Sequence, residues 1–207
     1  MSYLDLARAV RSVDFLLRQR QGITEFTEDQ GCIFRLSHEP AGCAVLLSDG
    51  TAIEAGETVL QLHLWNEHLP LMPSEGPSAA WAIRLKRSMR RSLAAVAHYV
   101  ERETDVAGIR ALHGALHFGS RLGAAQMART AHRFGFDVID PDGAPEWRER
   151  IHVVLDSMYL WGLAYAFNPA GLKTKELLRH RYQLWISRRR LLARYGAGAA
   201  PERAWRH

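Results

Sequence analysis

The pattern of apolar and polar residues divides the chain into a short region of period two and longer regions of helical period. Between residues 32 and 65, apolar and polar positions alternate, and turn sequences such as SDGT (48–51) separate the apolar runs. Alternation of this kind predicts half-buried strands, and turns at this spacing predict an antiparallel meander of three or four strands. The run TVLQLHLW (58–65) is the most apolar, so we expect it to lie centrally in the sheet.

The remainder of the chain has apolar residues three and four positions apart, which is typical of amphipathic helices. This spacing predicts helices at residues 2–20, 78–102, 105–118, 120–134, 145–167 and 173–195. Ser78 is a suitable N-cap for the second of them, and Gly135 is suited to follow the fourth. The short apolar segment 136–139 is a further candidate strand for the sheet.

These elements predict a single α+β domain over residues 1–207, in which a small antiparallel β-sheet meander packs against several α-helices. The sheet region is 32–65, the helical region is 78–195, and residues 196–207 form a flexible tail. A chain of 207 residues is long enough for one hydrophobic core. Its longest apolar run, 153–167, is shorter than the roughly 20 residues that span a bilayer, so we predict no transmembrane segment.

Charge is distributed unevenly along the chain. Residues 1–76 contain 5 basic and 11 acidic residues, whereas residues 77–207 contain 22 basic and 11 acidic residues. Most of the basic residues are arginines, whose planar guanidinium suits phosphate and carboxylate oxygens. The candidate residues for binding an anionic or phosphorylated substrate, or a membrane surface, are Arg84, Arg87, Arg188 and Arg190. The alternative is that these arginines only keep helix faces solvated.

The two cysteines, Cys32 and Cys43, are not expected to form a bridge, because a turn at residues 39–42 would keep them apart. The N-terminus has no cationic and apolar signal segment. We therefore expect reduced thiols and a cytoplasmic protein, with the basic helices suited to a position peripheral to the inner membrane.

The candidate catalytic residues lie at the end of the apolar strand and directly after it. His63, Asn66 and Glu67 place an imidazole, an amide and a carboxylate within five positions, and His68 is adjacent. A carboxylate can orient an imidazole that acts as a general base, and an amide can donate to an oxyanion. The alternative is a structural one, in which polar residues at the end of a strand only satisfy a turn.

Two other pairs of residues have spacings that occur in functional sites. His113 and His117 have the one-turn spacing of a helical metal pair, and His152 and Asp156 have the spacing of an imidazole–carboxylate pair. The more common explanation of the first pair is two histidines that lie on a polar surface or are buried and hydrogen-bonded, and that of the second is a simple surface pair one turn apart. The chain contains no Walker loop, no GxGxxG, no GxSxG and no CxxC. We therefore predict neither a cofactor nor a metal site.

Two stretches of the chain resemble the YkoP-like domain family of bacterial proteins. They are SDGTAIEAGETVLQLHLWNEHLP (48–70) and FNPAGLKTKELLRHRYQLWISRRRLLARYG (167–196), with a similar helical middle. Related domains are fused to polysaccharide deacetylases or occur near glycosyltransferases, so the resemblance implies, by association, envelope polysaccharide or lipid-linked glycan metabolism. It carries over no catalytic residue, but it marks 62–63, 66–67 and 185–188 as signature positions.

Three hypotheses about function follow. The first is an enzyme that acts on an anionic lipid- or glycan-linked substrate of cell-envelope metabolism, with His63 as general base, Glu67 as its orienter and Asn66 as a polarising donor. The second is a non-catalytic accessory module that docks on anionic membrane or on a partner enzyme of polysaccharide metabolism. Nucleic-acid binding ranks lower, because the chain contains no recognised motif for it.

Overall fold

A five-stranded mixed sheet forms the centre of the fold. The computed structural model describes residues 22–71, 73–76, 78–118, 128–139 and 180–199. The sheet consists of β1 (Phe34–Pro40), β4 (Thr58–Leu64), β5 (Ala111–Phe118), β6 (Asp137–Ile139) and β7 (His180–Ser187), in the order β1-β4-β5-β7-β6. Neighbouring strands are antiparallel except β4 and β5, which are parallel. A parallel neighbour requires a crossover connection, and helix α1 (Ala79–Arg102) lies in that connection.

A separate hairpin and short helices complete the described part of the chain. The hairpin consists of β2 (Val45–Leu46) and β3 (Ala52–Ile53). A 3-10 helix spans Asn66–His68, helix α2 spans Arg188–Tyr195, and residues 128–133 are also helical. The hydroxyl of Ser78 accepts from the backbone of Trp81, which confirms Ser78 as the N-cap of α1. Gly135 follows residues 128–133 with a φ of 94°, a conformation that glycine adopts without strain.

The main core lies between the sheet and α1. Buried residues of the second half of α1 pack with alternate residues of the strands: Leu93, Val96, Ala97 and Val100 with Phe34, Leu36, Leu60, Leu62, Leu112 and Ile186. The alternation explains why these strand residues share one face. Burying each leucine contributes about 2 kcal/mol, so this contact is the main source of stability for the sheet.

The opposite face of the sheet is partly covered by the β2–β3 hairpin. A second apolar cluster joins the hairpin region to the sheet: Ala41, Val45, Leu47 and Ile53 with Val59, Ala111 and Trp185. Val59, Ala111 and Trp185 each neighbour a residue of the main core in sequence, and therefore point the other way. The remaining positions of β1 and β4 on that face carry polar residues.

The α+β class, the helix at 78–102 and the strand at 136–139 are confirmed. The strand over 58–65 is also confirmed as an interior strand, since β4 lies between β1 and β5. The simple meander is only partly confirmed. The chain passes from β1 through the β2–β3 hairpin before β4 returns to pair with β1, and β4 then pairs in parallel with β5.

The predicted helices at 105–118 and 173–195 are wrong over much of their length. Residues 111–118 form β5 and residues 180–187 form β7, and these two strands pair with one another over all eight positions. The sequence ALHGALHF fits a period of two as well as a helical period, and the long-range pairing decides between them. Within the second prediction, only Arg188–Tyr195 is an α-helix in the part of the chain that the structure describes.

Several predicted features lie outside the described residues. These are the helices at 2–20 and 145–167, the pair His152 and Asp156, and most of the tail at 196–207. Cys32 is buried and Cys43 is exposed, and both are free thiols, as predicted. None of the helices in the described ranges combines the length and the hydropathy that a bilayer-spanning helix needs.

Candidate functional site

The candidate site lies on the sheet face turned away from α1, where β1 and β4 run side by side. Their antiparallel pairing sets Arg35 directly opposite His63, and Ser37 directly opposite Gln61. Glu39 is the next residue on the same face of β1, because side chains two positions apart point to the same side of a strand. We call these five residues the β1–β4 polar cluster.

His63 is held by a hydrogen bond with the hydroxyl group of Ser37. His63 Nε2 lies 2.8 Å from Ser37 Oγ, and Ser37 Oγ donates to Oε1 of Glu39 at 3.1 Å. Gln61, with its amide nitrogen turned towards Glu39, donates to the same Oε1 at 3.0 Å. The carboxylate connected to His63 by these hydrogen bonds is therefore Glu39, whereas the sequence pattern assigns that role to Glu67.

His63 is a neutral imidazole at pH 7. Burial, followed by the positive charge of Arg35, lowers the pKa of His63 from 6.5 to about 4. Its side chain is 20% exposed, which leaves it accessible to a small group. A neutral imidazole has one nitrogen that donates and one that accepts. His63 therefore has the protonation state that a proton acceptor requires.

Arg35 places a positive charge inside the site. The residue is 5% exposed, and its guanidinium carbon lies 4.2 Å from the centroid of the Trp65 ring. Glu25 Oε1 lies 3.0 Å from Nη2, and Glu67 Oε2 lies 3.9 Å from Nη1. A buried guanidinium needs such partners, because an unpaired charge is costly to remove from water. Glu67 is therefore placed beside Arg35.

The segment after β4 turns the chain back over the start of β1. Asn66 is the first residue of the 3-10 helix that ends at His68. The ring of His68 stacks on Trp65 with centroids 3.7 Å apart, and His68 Nδ1 lies 2.7 Å from the carbonyl oxygen of Cys32. His68 thus contacts both the Trp65 ring and the backbone of Cys32. These contacts help to fix the turn that carries Asn66 and Glu67.

Two of the predicted anion-binding residues lie on the first half of α1. Arg84 and Arg87 are both exposed. The buried residues of α1 all lie from Ser92 onward, whereas residues 79–91 contain five basic residues and no acidic one. We call residues 79–91 the basic half of α1. Within the described ranges, no hydrogen bond or ion pair joins Arg84 or Arg87 to the β1–β4 polar cluster.

Arg188 contacts the backbone at the end of α1. Its Nη1 donates to the carbonyl oxygens of Val106 and Ala107 at 2.6 and 2.9 Å, and its Nη2 donates to that of Val100 at 2.7 Å. The last carbonyl groups of a helix have no partner within the helix, so a guanidinium in this position stabilises its end. These contacts give Arg188 a structural role.

Arg190 belongs to a polar contact between α2 and the β2–β3 hairpin. It forms an ion pair with Asp137 at 3.1 Å and donates to the hydroxyl of Ser48 at 2.7 Å. Ser187, the N-cap of α2, donates to the carboxylate of Asp49. Burial raises the pKa of Asp49, but the hydrogen bond from Ser187 and further interactions outweigh it and lower the pKa to about 2. This contact fixes the hairpin against the sheet.

His113 and His117 lie on strand β5, so the helical metal pair is not formed. Residues four apart in a strand are separated by about 13 Å, compared with about 6 Å on a helix. The ring of His113 packs against Trp185 with centroids 4.5 Å apart. Among the residues that the structure describes, no group of three or more His, Cys, Asp or Glu side chains is placed to hold a metal ion.

Sequence reasoning missed Arg35, Ser37, Glu39 and Gln61. A signal was present, because the first three occupy every second position of FRLSHEP (34–40), beginning between the apolar Phe34 and Leu36, and so share one face. Recognising their importance requires knowing that β1 pairs with β4, and this pairing crosses the intervening hairpin. The local pattern therefore identifies the polar face of each strand, but it does not identify the partner strand.

Comparison with known proteins places the chain in a family. A family model described as the YkoP domain matches residues 6–195. No curated protein and no solved structure matches the chain. The matched segment includes every described residue of the β1–β4 polar cluster and of both described α-helices. The chain belongs to the YkoP domain family.

Proposed function

We propose that the protein is an enzyme that acts on an anionic lipid- or glycan-linked substrate of cell-envelope metabolism, with the β1–β4 polar cluster as its catalytic site. The observation that carries this proposal is the half-buried, neutral His63 beside the cationic Arg35. A neutral imidazole accepts a proton from water or from a substrate hydroxyl, which is the usual first step in activating such a nucleophile.

An anionic substrate suits this site for an electrostatic reason. In the free protein a pKa of about 4 makes His63 a weak base. A negative charge bound beside the imidazole favours its protonated form and so raises its pKa towards the range in which a general base works well. Binding of an anionic substrate would thus increase the basicity of His63 at the moment when it is needed.

The neighbouring predicted residues have supporting roles in this proposal. Glu67 acts through its ion pair with Arg35, and Asn66 in the following turn is the candidate donor to an oxyanion. Arg84 and Arg87, on the basic half of α1, would attract the anionic substrate or the membrane that contains it. We assign the protein to the cytoplasmic surface of the inner membrane on the same grounds.

The proposal is tested with extracts from cells that lack the protein. Lipid-linked and glycan compounds are compared between these cells and cells in which the gene is restored, and purified full-length protein is then incubated with the extract of the deficient cells. We expect an anionic compound to accumulate in the deficient cells and to be consumed by the purified protein. If no compound accumulates and none is consumed, the enzyme proposal is incorrect.

A second candidate function is a non-catalytic module that docks on anionic membrane. The observation that favours it is the combination of charge and exposed apolar surface at the basic half of α1. Ile83 is 52% exposed beside Arg84 and Arg87, and Leu71, shortly before the helix, is 76% exposed. Basic residues beside exposed apolar side chains are typical of surfaces that bind anionic bilayers.

A further inference from the structure

The hydrogen bonds around His63 determine which of its two nitrogens carries the proton. Ser37 Oγ lies within hydrogen-bond distance of both Glu39 Oε1 and His63 Nε2, at 3.1 and 2.8 Å. A hydroxyl group has one hydrogen, and a carboxylate oxygen only accepts. Ser37 therefore donates to Glu39, and its oxygen accepts a hydrogen bond from His63. This arrangement requires the proton of the neutral imidazole to be on Nε2.

Two further interactions favour the same tautomer. Gln61 donates to the Glu39 carboxylate, which keeps that group in place as an acceptor for Ser37. Glu39 Oε1 also lies 3.8 Å from His63 Nε2, and a negative charge at this distance favours a proton on the nearer nitrogen. Ser37 is 1% exposed, so water competes little for its hydroxyl group.

The other nitrogen, Nδ1, is then the accepting atom of His63. Within the described part of the chain, no side chain or backbone group forms a hydrogen bond with Nδ1, and this atom is not sealed from solvent. Arg35, directly opposite on β1, disfavours a second proton on the ring. An uncharged acceptor with a fixed direction is suited to a hydroxyl group, such as that of a sugar or of glycerol.

We propose that Ser37 and Glu39 are positioning residues that hold His63 with its proton on Nε2, so that Nδ1 accepts a hydrogen bond from a hydroxyl group of the substrate. The part of this inference that concerns the substrate rests on the proposed function. The part that concerns the tautomer does not, because it follows from the hydrogen bonds of the free protein.

The tautomer is measured by NMR on full-length protein labelled with nitrogen-15, at about pH 7, where a group with a pKa of about 4 is neutral. The signals of His63 are identified by their loss in His63→Gln. We expect a protonated Nε2 whose proton exchanges slowly with water, and an unprotonated Nδ1. In Ser37→Ala the proton should exchange rapidly, while His38→Gln, at an exposed position of the same strand, should leave the signals of His63 unchanged.

A proton on Nδ1 in the unmodified protein would overturn the inference. An Nε2 proton that exchanges as slowly in Ser37→Ala as in the unmodified protein would overturn it as well. Because Ser37 is buried, Glu39→Gln provides a second variant at a partly exposed position, and its removal of the nearby negative charge should also speed the exchange of the Nε2 proton. The measurement uses no substrate. A failure of the cell-extract experiment with the expected tautomer present would therefore reject only the proposed function.

Discussion

Arg35 and His63 are directly opposite one another in the pairing of β1 with β4, and the guanidinium of Arg35 helps to keep His63 uncharged. Such a pair is costly for a fold, because a buried cation and a buried imidazole both lose hydration. The protein offsets this cost with Glu25 and Glu67 around Arg35 and with Ser37 beside His63. Because of this arrangement, the stability of the protein depends on whether His63 carries a proton.

The first prediction concerns stability below neutral pH. The pKa of His63 is 6.5 in the unfolded chain and about 4 in the folded protein, so between these values the unfolded chain binds a proton that the folded protein excludes. Stability is therefore lost as the pH falls from about 6.5 to about 4. This effect lowers the free energy of unfolding by at most about 3 kcal/mol.

Chemical denaturation at pH 7 and pH 4 measures this effect. Arg35 and Glu39 lie beside His63, and Glu67 lies beside Arg35. The comparison is therefore between the unmodified protein and His63→Gln, and the quantity compared is the fall in the free energy of unfolding from pH 7 to pH 4. We expect the free energy of unfolding to fall less in His63→Gln than in the unmodified protein. In His38→Gln it should fall as much as in the unmodified protein. An identical loss in His63→Gln and in the unmodified protein would show that His63 is not held neutral.

The second prediction separates a structural role of Arg188 from the ligand-binding role that the sequence suggests. Replacing Arg188 with Lys keeps the charge but removes the fork that contacts Val100, Val106 and Ala107. We expect the free energy of unfolding to fall by about 2–4 kcal/mol, since several hydrogen bonds from a charged donor are lost. Chemical denaturation at neutral pH provides the measurement.

Arg189→Lys is the matched control for Arg188→Lys. Arg189 is the neighbouring residue, its side chain is largely exposed, and its ion pair with Asp49 at 3.5 Å should contribute less than about 1 kcal/mol. If Arg188→Lys is as stable as Arg189→Lys, the contacts of Arg188 with the end of α1 contribute little, and its role as a ligand-binding residue regains support.

The third prediction concerns the basic half of α1. The double variant Arg84→Glu, Arg87→Glu should bind vesicles of phosphatidylcholine with phosphatidylglycerol at least about tenfold more weakly, because each arginine near an anionic surface contributes about 1 kcal/mol. Co-sedimentation measures the binding. Raising the salt from about 0.1 M to about 1 M should weaken it as well, since screening shortens from about 10 Å to about 3 Å.

Arg129→Glu, Arg133→Glu is the control for this surface. Both residues are exposed in the helical segment 128–133, so the variant changes the net charge equally without changing α1. Equal loss of binding in both double variants would mean that the net charge matters and not the basic half of α1. Absent or salt-insensitive binding by the unmodified protein would rule out membrane docking.

The fold could be predicted from the sequence where local pattern and burial agree. The strand over 58–65 and the helix from Ser78 are examples, because apolar alternation and an N-cap are encoded within a few residues. Strands β5 and β7 differ from the helices that the sequence predicts. In β5, Leu112 and Leu116 are four positions apart, which suits either a helix or a strand, whereas around β7 the leucines at 177, 184 and 191 have helical spacing. Their eight paired positions involve residues about 70 positions apart, and no local signal encodes such a contact.

The candidate site was predictable only where its residues lie close together in the sequence. His63 could be identified from one short stretch, because an imidazole, an amide and a carboxylate occur together at the end of an apolar strand. Its partners Ser37 and Glu39 lie on β1, and the pairing that brings them to His63 depends on the whole sheet. Arg84 and Arg87 are exposed, as their helical spacing indicates, whereas the contacts of Arg188 depend on where β7 ends.

The most direct test of the enzyme proposal is the rate at which purified variants consume the compound that accumulates in cells lacking the protein. We predict that His63→Gln lowers this rate by about 100-fold or more, which is typical of removing a general base, while its melting temperature at neutral pH stays close to that of the unmodified protein. His38→Gln should retain the full rate. A folded His63→Gln protein that consumes the compound at the unmodified rate would contradict the assignment of His63 as the catalytic base.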